Sequence, residues 1–248
     1  MKARPTEQIV TLIAIALTFA SGAMDVASFT RLGNVFSSVM TGNIVLFGLA
    51  IARGSPSLAG HTAVSAAGYV AGVAGGTLIS YRFRPTGTGK PDDHGNRAGA
   101  VPGHVTWALA AELIMLAGFT VGWEISGASP AGWAQFCLLA TAAAAMGVQA
   151  SAVRDMGLTD VSTTYLTGTL TGLVSSLVRP DSDTPHGVRR FGVLGGLALG
   201  AILSGLLIAT AADAVPALPL AALIFTLVLA SGSRSHPRRG RAAPPPCA

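Results

Sequence analysis

Apolar and polar positions fall in long blocks along this chain. Six stretches of 18 or more residues contain no Asp, Glu, Lys or Arg: 32–52, 54–81, 125–153, 161–178, 191–212 and 214–232. Several reach the roughly 20 apolar residues that a helix needs to cross about 30 Å of hydrocarbon. The pattern predicts spans at Gln8–Phe29, His61–Tyr81, Val105–Glu124, Trp133–Val153, Phe191–Ala212 and Val215–Ala230. It also predicts two short segments, Val35–Ile51 and Asp160–Val178. The expected fold is an all-α polytopic membrane helix bundle of six full spans plus two short polar helices. Eight full spans is the alternative. The start, Met1–Arg4 followed by an apolar run, has the look of a signal peptide. The run is longer than 20 residues, contains Asp25 and is followed by further spans, so a retained first span is expected.

The polar residues inside these blocks carry most of the information. Thr18, Ser21, Asp25 and Ser28 are spaced 3, 4 and 3 and form one stripe on a helix. Lipid offers such a stripe no partners, so it must face protein or water. Glu112 is a second acid at membrane depth, and Gln149 holds in the second half the place of Asp25 in the first. Thr41, Gly42 and Asn43 are consecutive and point three ways in a regular helix. A break at Gly42 would let them converge, and broken helices are tolerated where protein or a water-filled cavity lines them. Thr167, Gly168 and Thr169 repeat the run. Asp25, Thr41, Gly42, Asn43, Glu112, Gln149, Thr167, Gly168 and Thr169 are the candidate solute- or ion-binding residues. The competing reading makes them structural: a buried acid bonded to a neighbouring helix, and threonines bonded back to helix carbonyls.

The chain reads as duplicated. Gly68, Gly72, Gly76 and Ser80 are matched at an offset of 124 by Gly192, Gly196, Gly200 and Ser204. Small residues at this spacing let helices pack closely in lipid. The expected organisation is one transmembrane domain, 1–232, made of repeats 1–125 and 126–232, and a disordered basic, proline-rich tail, 233–248. With six spans, the Lys and Arg residues collect on one side and leave Arg31 and Arg53 on the other. Eight spans divide them more evenly, so the positive-inside rule favours six. Three full spans per repeat then make the repeats inverted, as in many transporters.

Composition agrees. Hydrophobic residues make up 50% and charged residues 11%, where a soluble chain would be nearer a quarter charged. The net charge of +5 is spread over loops and tail, which points to topology and away from nucleic acid. Two cysteines, Cys137 and Cys247, imply no disulfide or metal framework. Asp92, Asp93 and His94 are adjacent loop residues that read as solvated charges. Trp107 and Trp123 are placed as interface anchors. His61 and His104 sit at helix ends, and no nucleophile–base set is present, so neither an enzyme nor a cofactor is expected.

The chain resembles the YoaK family of bacterial membrane proteins, also known as DUF1275. The likeness rests on Gly22-x-x-Asp25, on Val35-Phe36 through Met40-Thr41-Gly42-Asn43, and on Gly147-x-Gln149 followed by Thr163 to Thr169. It covers nearly the whole chain apart from the tail. It implies a multi-span protein of the bacterial inner membrane and supplies no substrate. From the residues, the expected function is transport of a small polar or ionic solute with ion or proton coupling through Asp25 or Glu112. The alternative is a non-transporting sensor, assembly factor or partner subunit. The expected partners are the lipid bilayer and an unidentified solute, with a homo-oligomer as one use of the small-residue faces. Both chain ends are expected in the cytoplasm.

Overall fold

The computed structural model describes residues 5–84, 102–156, 166–178 and 184–232; of residues 5–7, 166–167, 176–178 and 184–188 only the backbone is described. The described chain forms α1 (Pro5–Arg31), α2 (Met40–Ala52), α3 (Pro56–Arg82), α4 (Gly103–Ile125), α5 (Trp133–Asp155), α6 (Leu166–Val178), α7 (Thr184–Thr210) and α8 (Ala217–Gly232), with a 3₁₀ turn at Ala212–Ala214 before α8. Among the described residues, six helices are long and apolar enough to cross a membrane. Helices α2 and α6 have 13 residues each, about 20 Å at 1.5 Å per residue, which is too short. The protein is therefore a polytopic helix bundle.

The predicted spans are recovered with ends that extend further in most cases; α7 stops two residues before the expected Ala212, and α8 starts two residues after the expected Val215. The segment expected as the loop 179–190 is shorter, because α7 already begins at Thr184. Its first part, 179–183, lies outside the described residues, as do 85–101 and the tail 233–248.

Helices α1 and α5 form the inside of the bundle. Their apolar windows are 56% and 67% buried, against 22–39% for the other spans. Around them, α1 packs on α7, α8 and α5, while α5 packs on α3, α4 and α1. The small-residue faces lie at these crossings. A Cβ at Gly68 would stand 2.7 Å from Ala140 O, and one at Gly72 or Gly76 would run into Ala144 O or Ser151 Oγ on α5. On α7, a Cβ at Gly192 or Gly196 would stand 2.8 or 2.9 Å from Ile15 atoms, and one at Gly200 would run into Phe19 O. Only glycine lets these backbones approach so closely, and in lipid that contact is the main source of attraction between helices. Two further glycines do the same: Gly22 against Leu197 O, and Gly147 against Tyr69 O.

Trp123 corrects one expectation. It is not a lipid-facing anchor but a fully buried core residue, its ring tilted against that of Phe119 and its Nε1 donating to Ala212 O at 3.0 Å. Its N–H needs a partner inside the bundle, and the carbonyl of the α7–α8 turn supplies one. Trp107 is more than half exposed.

Candidate functional site

Between α1 and α2 the backbone from 32 to 39 is irregular. Gly33 (φ 97°) and Asn34 (φ 60°) turn the chain through the left-handed region, which glycine and asparagine adopt most easily. The chain then runs back into the bundle. Asp25 meets it there. Its Oδ1 accepts from Ser37 N (2.9 Å), Ser37 Oγ (3.0 Å) and Ser38 N (2.8 Å), and its Oδ2 accepts from Ser38 Oγ (2.6 Å). Asn43, one turn into α2, closes the other side. Its Oδ1 accepts from Phe36 N (2.9 Å), and its Nδ2 donates to Phe36 O (2.7 Å) and to Ser65 Oγ (3.0 Å). Ser65 on α3 donates to the same Phe36 carbonyl at 2.6 Å. Irregular backbone at membrane depth loses its ladder of hydrogen bonds and must find replacements in protein. Asp25 and Asn43 are those replacements for residues 36–38.

The irregularity thus precedes α2. Gly42 is not a helix break; it is the third residue of a regular helix, and a Cβ there would stand 3.2 Å from the Phe36 ring. Thr41 is exposed, Gly42 half-buried and Asn43 buried, so of this run only Asn43 enters the knot.

Helix α2 starts at the level of Asp25, six residues or about 9 Å below the end of α1. It ends at Arg53, which lines one recess of about 520 Å³ together with Gly33, Asn34, Ser55, His61 and Gln135. The segment therefore enters and leaves at the same end of the bundle. Helix α5 begins there too. Gln135 Nε2 donates to Arg31 O at 2.9 Å, and Arg31 Nη1 to Ser129 Oγ at 3.2 Å. His61 is held in this region by Ser57 O (2.7 Å), Gln135 Oε1 (3.1 Å) and a stack on Phe136, and it is buried, as is His104 at the opposite end. Both histidines, expected as helix-end residues outside the core, are thus inside the protein. The charges of Arg84 and Asp155 reach His104, which places the ends of α3 and α5 beside the start of α4.

Gln149 is 1% exposed and donates from Nε2 to Leu17 O (3.0 Å) and to Ser21 Oγ (2.8 Å), near the middle of α1. With Gln135 at Arg31, these contacts fix α1 and α5 as antiparallel. Thr18 and Ser21 donate back to Ala14 O and Leu17 O. The polar stripe of α1 is buried along its length. Glu112 lies on the core face of α4, on which Val105, Ala108, Leu116, Phe119 and Trp123 are also buried. It is fully buried, and neither of its oxygens has a hydrogen-bond partner; Gln149 Oε1 has none either.

In the second half, Gly168 is exposed and Thr169 buried. Arg190 on α7 donates from Nη1 to Gly172 O at 3.1 Å, tying α6 to α7. The side chain of Thr167 and the whole of 157–165, including Thr163, lie outside the described residues. The structure thus brings Asp25 and Asn43 to one loop and Gln149 to α1. Thr41 and Gly168 it leaves outside these contacts. Sequence reasoning missed the Phe36 peptide groups and Ser65 as partners. The available signal was the backbone demand of a non-helical stretch inside an apolar block.

The chain matches, over residues 13–230, the family described as "Protein of unknown function (DUF1275)". It is 31% identical over 167 residues to the UPF0700 transmembrane protein YoaK of Bacillus subtilis (strain 168), a match that covers 67% of this chain and 66% of that protein. No solved structure matches it significantly. The chain belongs to the DUF1275 family and is a multi-pass membrane protein.

Proposed function

We propose that this DUF1275 member transports a small polar or ionic solute, and that it does so as two inverted repeats in the bacterial plasma membrane. One observation carries the reading: Gln149 Oε1 and both Glu112 oxygens are buried at membrane depth without partners. Buried polar atoms are nearly always paired, and the exceptions need an explanation. Polar groups inside a membrane mark solute and ion routes more often than chance placement. Unpartnered acceptors on the packed helices α4 and α5 fit a closed state whose site is completed by a bound solute or ion. The half-helix α2 adds an oriented dipole whose N-terminus lies at the level of Asp25.

Several features support the repeat. The two short helices are equal in length, and α2 packs on α3 as α6 packs on α7. The pair α3–α5 corresponds to α7–α1, and α4–α5 to α8–α1. Antiparallel α1 and α5 make such repeats inverted. Both chain ends are assigned to the cytoplasm on the positive-inside rule, with Arg31 and Arg53 at the outer end.

The test is flux. Purified protein in liposomes carrying an internal pH dye is offered a panel of small polar solutes of each charge type. Solute-dependent flux that Gln149→Ala abolishes is the expected result. Absence of flux across the panel, from protein shown to be folded, would sink the reading. A second reading has its own support. Both oxygens of Asp25 are bonded by Ser37 and Ser38, as suits a purely structural acid in a non-transporting membrane protein.

A further inference from the structure

We infer that Glu112 is a proton-binding site, loaded from the end of the bundle where α4 begins. The inference rests on the transport reading for its purpose, since it names the coupling ion, but not for its test. Glu112 lies about 13 Å from the start of α4 and about 20 Å from its end. Helices α3, α5 and α8 pack on α4. The sequence of α8 has no ionisable side chain. Those of α5 are Cys137 near its start and Arg154 and Asp155 at its far end. Those of α3 are His61, Tyr69, Tyr81 and Arg82, of which Tyr69 alone is central. On α4 itself stand His104 and Glu124, each two or more turns away. None of these bonds to Glu112, whose oxygens have no partner.

A bare carboxylate in such a place costs several kcal/mol, and neutralisation removes that cost. A proton needs no coordination shell, whereas a metal cation needs several oxygens, and among the described residues of α4 and α5 the unpartnered side-chain oxygens are the two of Glu112 and Gln149 Oε1. The route is marked by further unpartnered atoms. His104 Nε2 and Ser80 Oγ are buried without partners, and they sit at the adjoining ends of α4 and α3. They mark the entry at the Arg84 end, about 12 Å along α4 from Glu112.

Infrared spectroscopy of the reconstituted protein reads this directly. At neutral pH the protein is expected to show the C=O band of a protonated carboxylic acid. Glu112→Gln should lose it, Asp25→Asn should keep it, and added sodium or potassium should leave it unchanged. Should Glu112→Gln fail to fold, Glu112→Asp is expected to shift the band rather than abolish it. A band unaffected by either change at Glu112, or one removed by sodium or potassium, overturns the proposal. Because no flux is measured, a failed proton site and a failed transport reading are told apart.

Discussion

Asp25 accepts four hydrogen bonds from Ser37 and Ser38, so its exchange for Asn turns an amide N–H₂ towards donors it cannot accept from. At least one buried donor is then left unpaired, at about 1–3 kcal/mol. The expected outcome is a lower unfolding temperature for Asp25→Asn in detergent. Glu112→Gln breaks no hydrogen bond and is expected to leave that temperature unchanged or raise it. The opposite ranking would show that the roles of the two acids have been exchanged. Both acids are visible in the sequence as charges inside apolar blocks, and the spacing of Thr18, Ser21, Asp25 and Ser28 correctly gives a buried face. Their difference is not visible. It depends on which loop returns to meet Asp25, and hydropathy says nothing about the path of residues 32–39.

At the scale of elements, the short helices and the glycine faces behave differently under substitution. A methyl group at Gly68 would press on the backbone of α5 at Ala140 O, which cannot move aside alone. A methyl group at Gly42 meets the edge of the Phe36 ring at 3.2 Å and Val39 Cγ1 at 3.4 Å, side-chain atoms that a small rotation moves aside. Gly68→Ala is therefore expected to cost more stability than Gly42→Ala, by about 1–3 kcal/mol as in other overpacked contacts. Thermal unfolding of the two variants side by side checks this, and a costlier Gly42→Ala would return the helix break to Gly42. The ends of the short segments were legible because charge-free blocks end at Arg53 and Arg179, whereas α2 starts at Met40, five residues after the expected Val35. The site of the break was not. The Thr-Gly-Asn run draws attention to Gly42, while the turn is made upstream by Gly33 and Asn34, in a stretch whose composition is ordinary.

For the whole molecule, the account turns on α2 entering and leaving at one end of the bundle. Arg31 and Arg53 then share a side, because the chain between them comes back on itself around the knot of Asp25 and Asn43. The six long apolar helices agree with this, and the proposed inverted arrangement, which makes transport the reading to pursue, depends on it. The charge distribution already favoured this layout over eight spans. It could not by itself show that the returning segment is held by hydrogen bonds to α1 and α3. The most direct test is labelling by a membrane-impermeant thiol reagent. Single cysteines are placed by Arg31→Cys, Arg53→Cys and Arg84→Cys in a background of Cys137→Ser and Cys247→Ser. Labelling of positions 31 and 53 from one side and of 84 from the other is the expected result. Labelling of 31 and 53 from opposite sides would mean that α2 crosses the membrane, and the re-entrant architecture would be wrong.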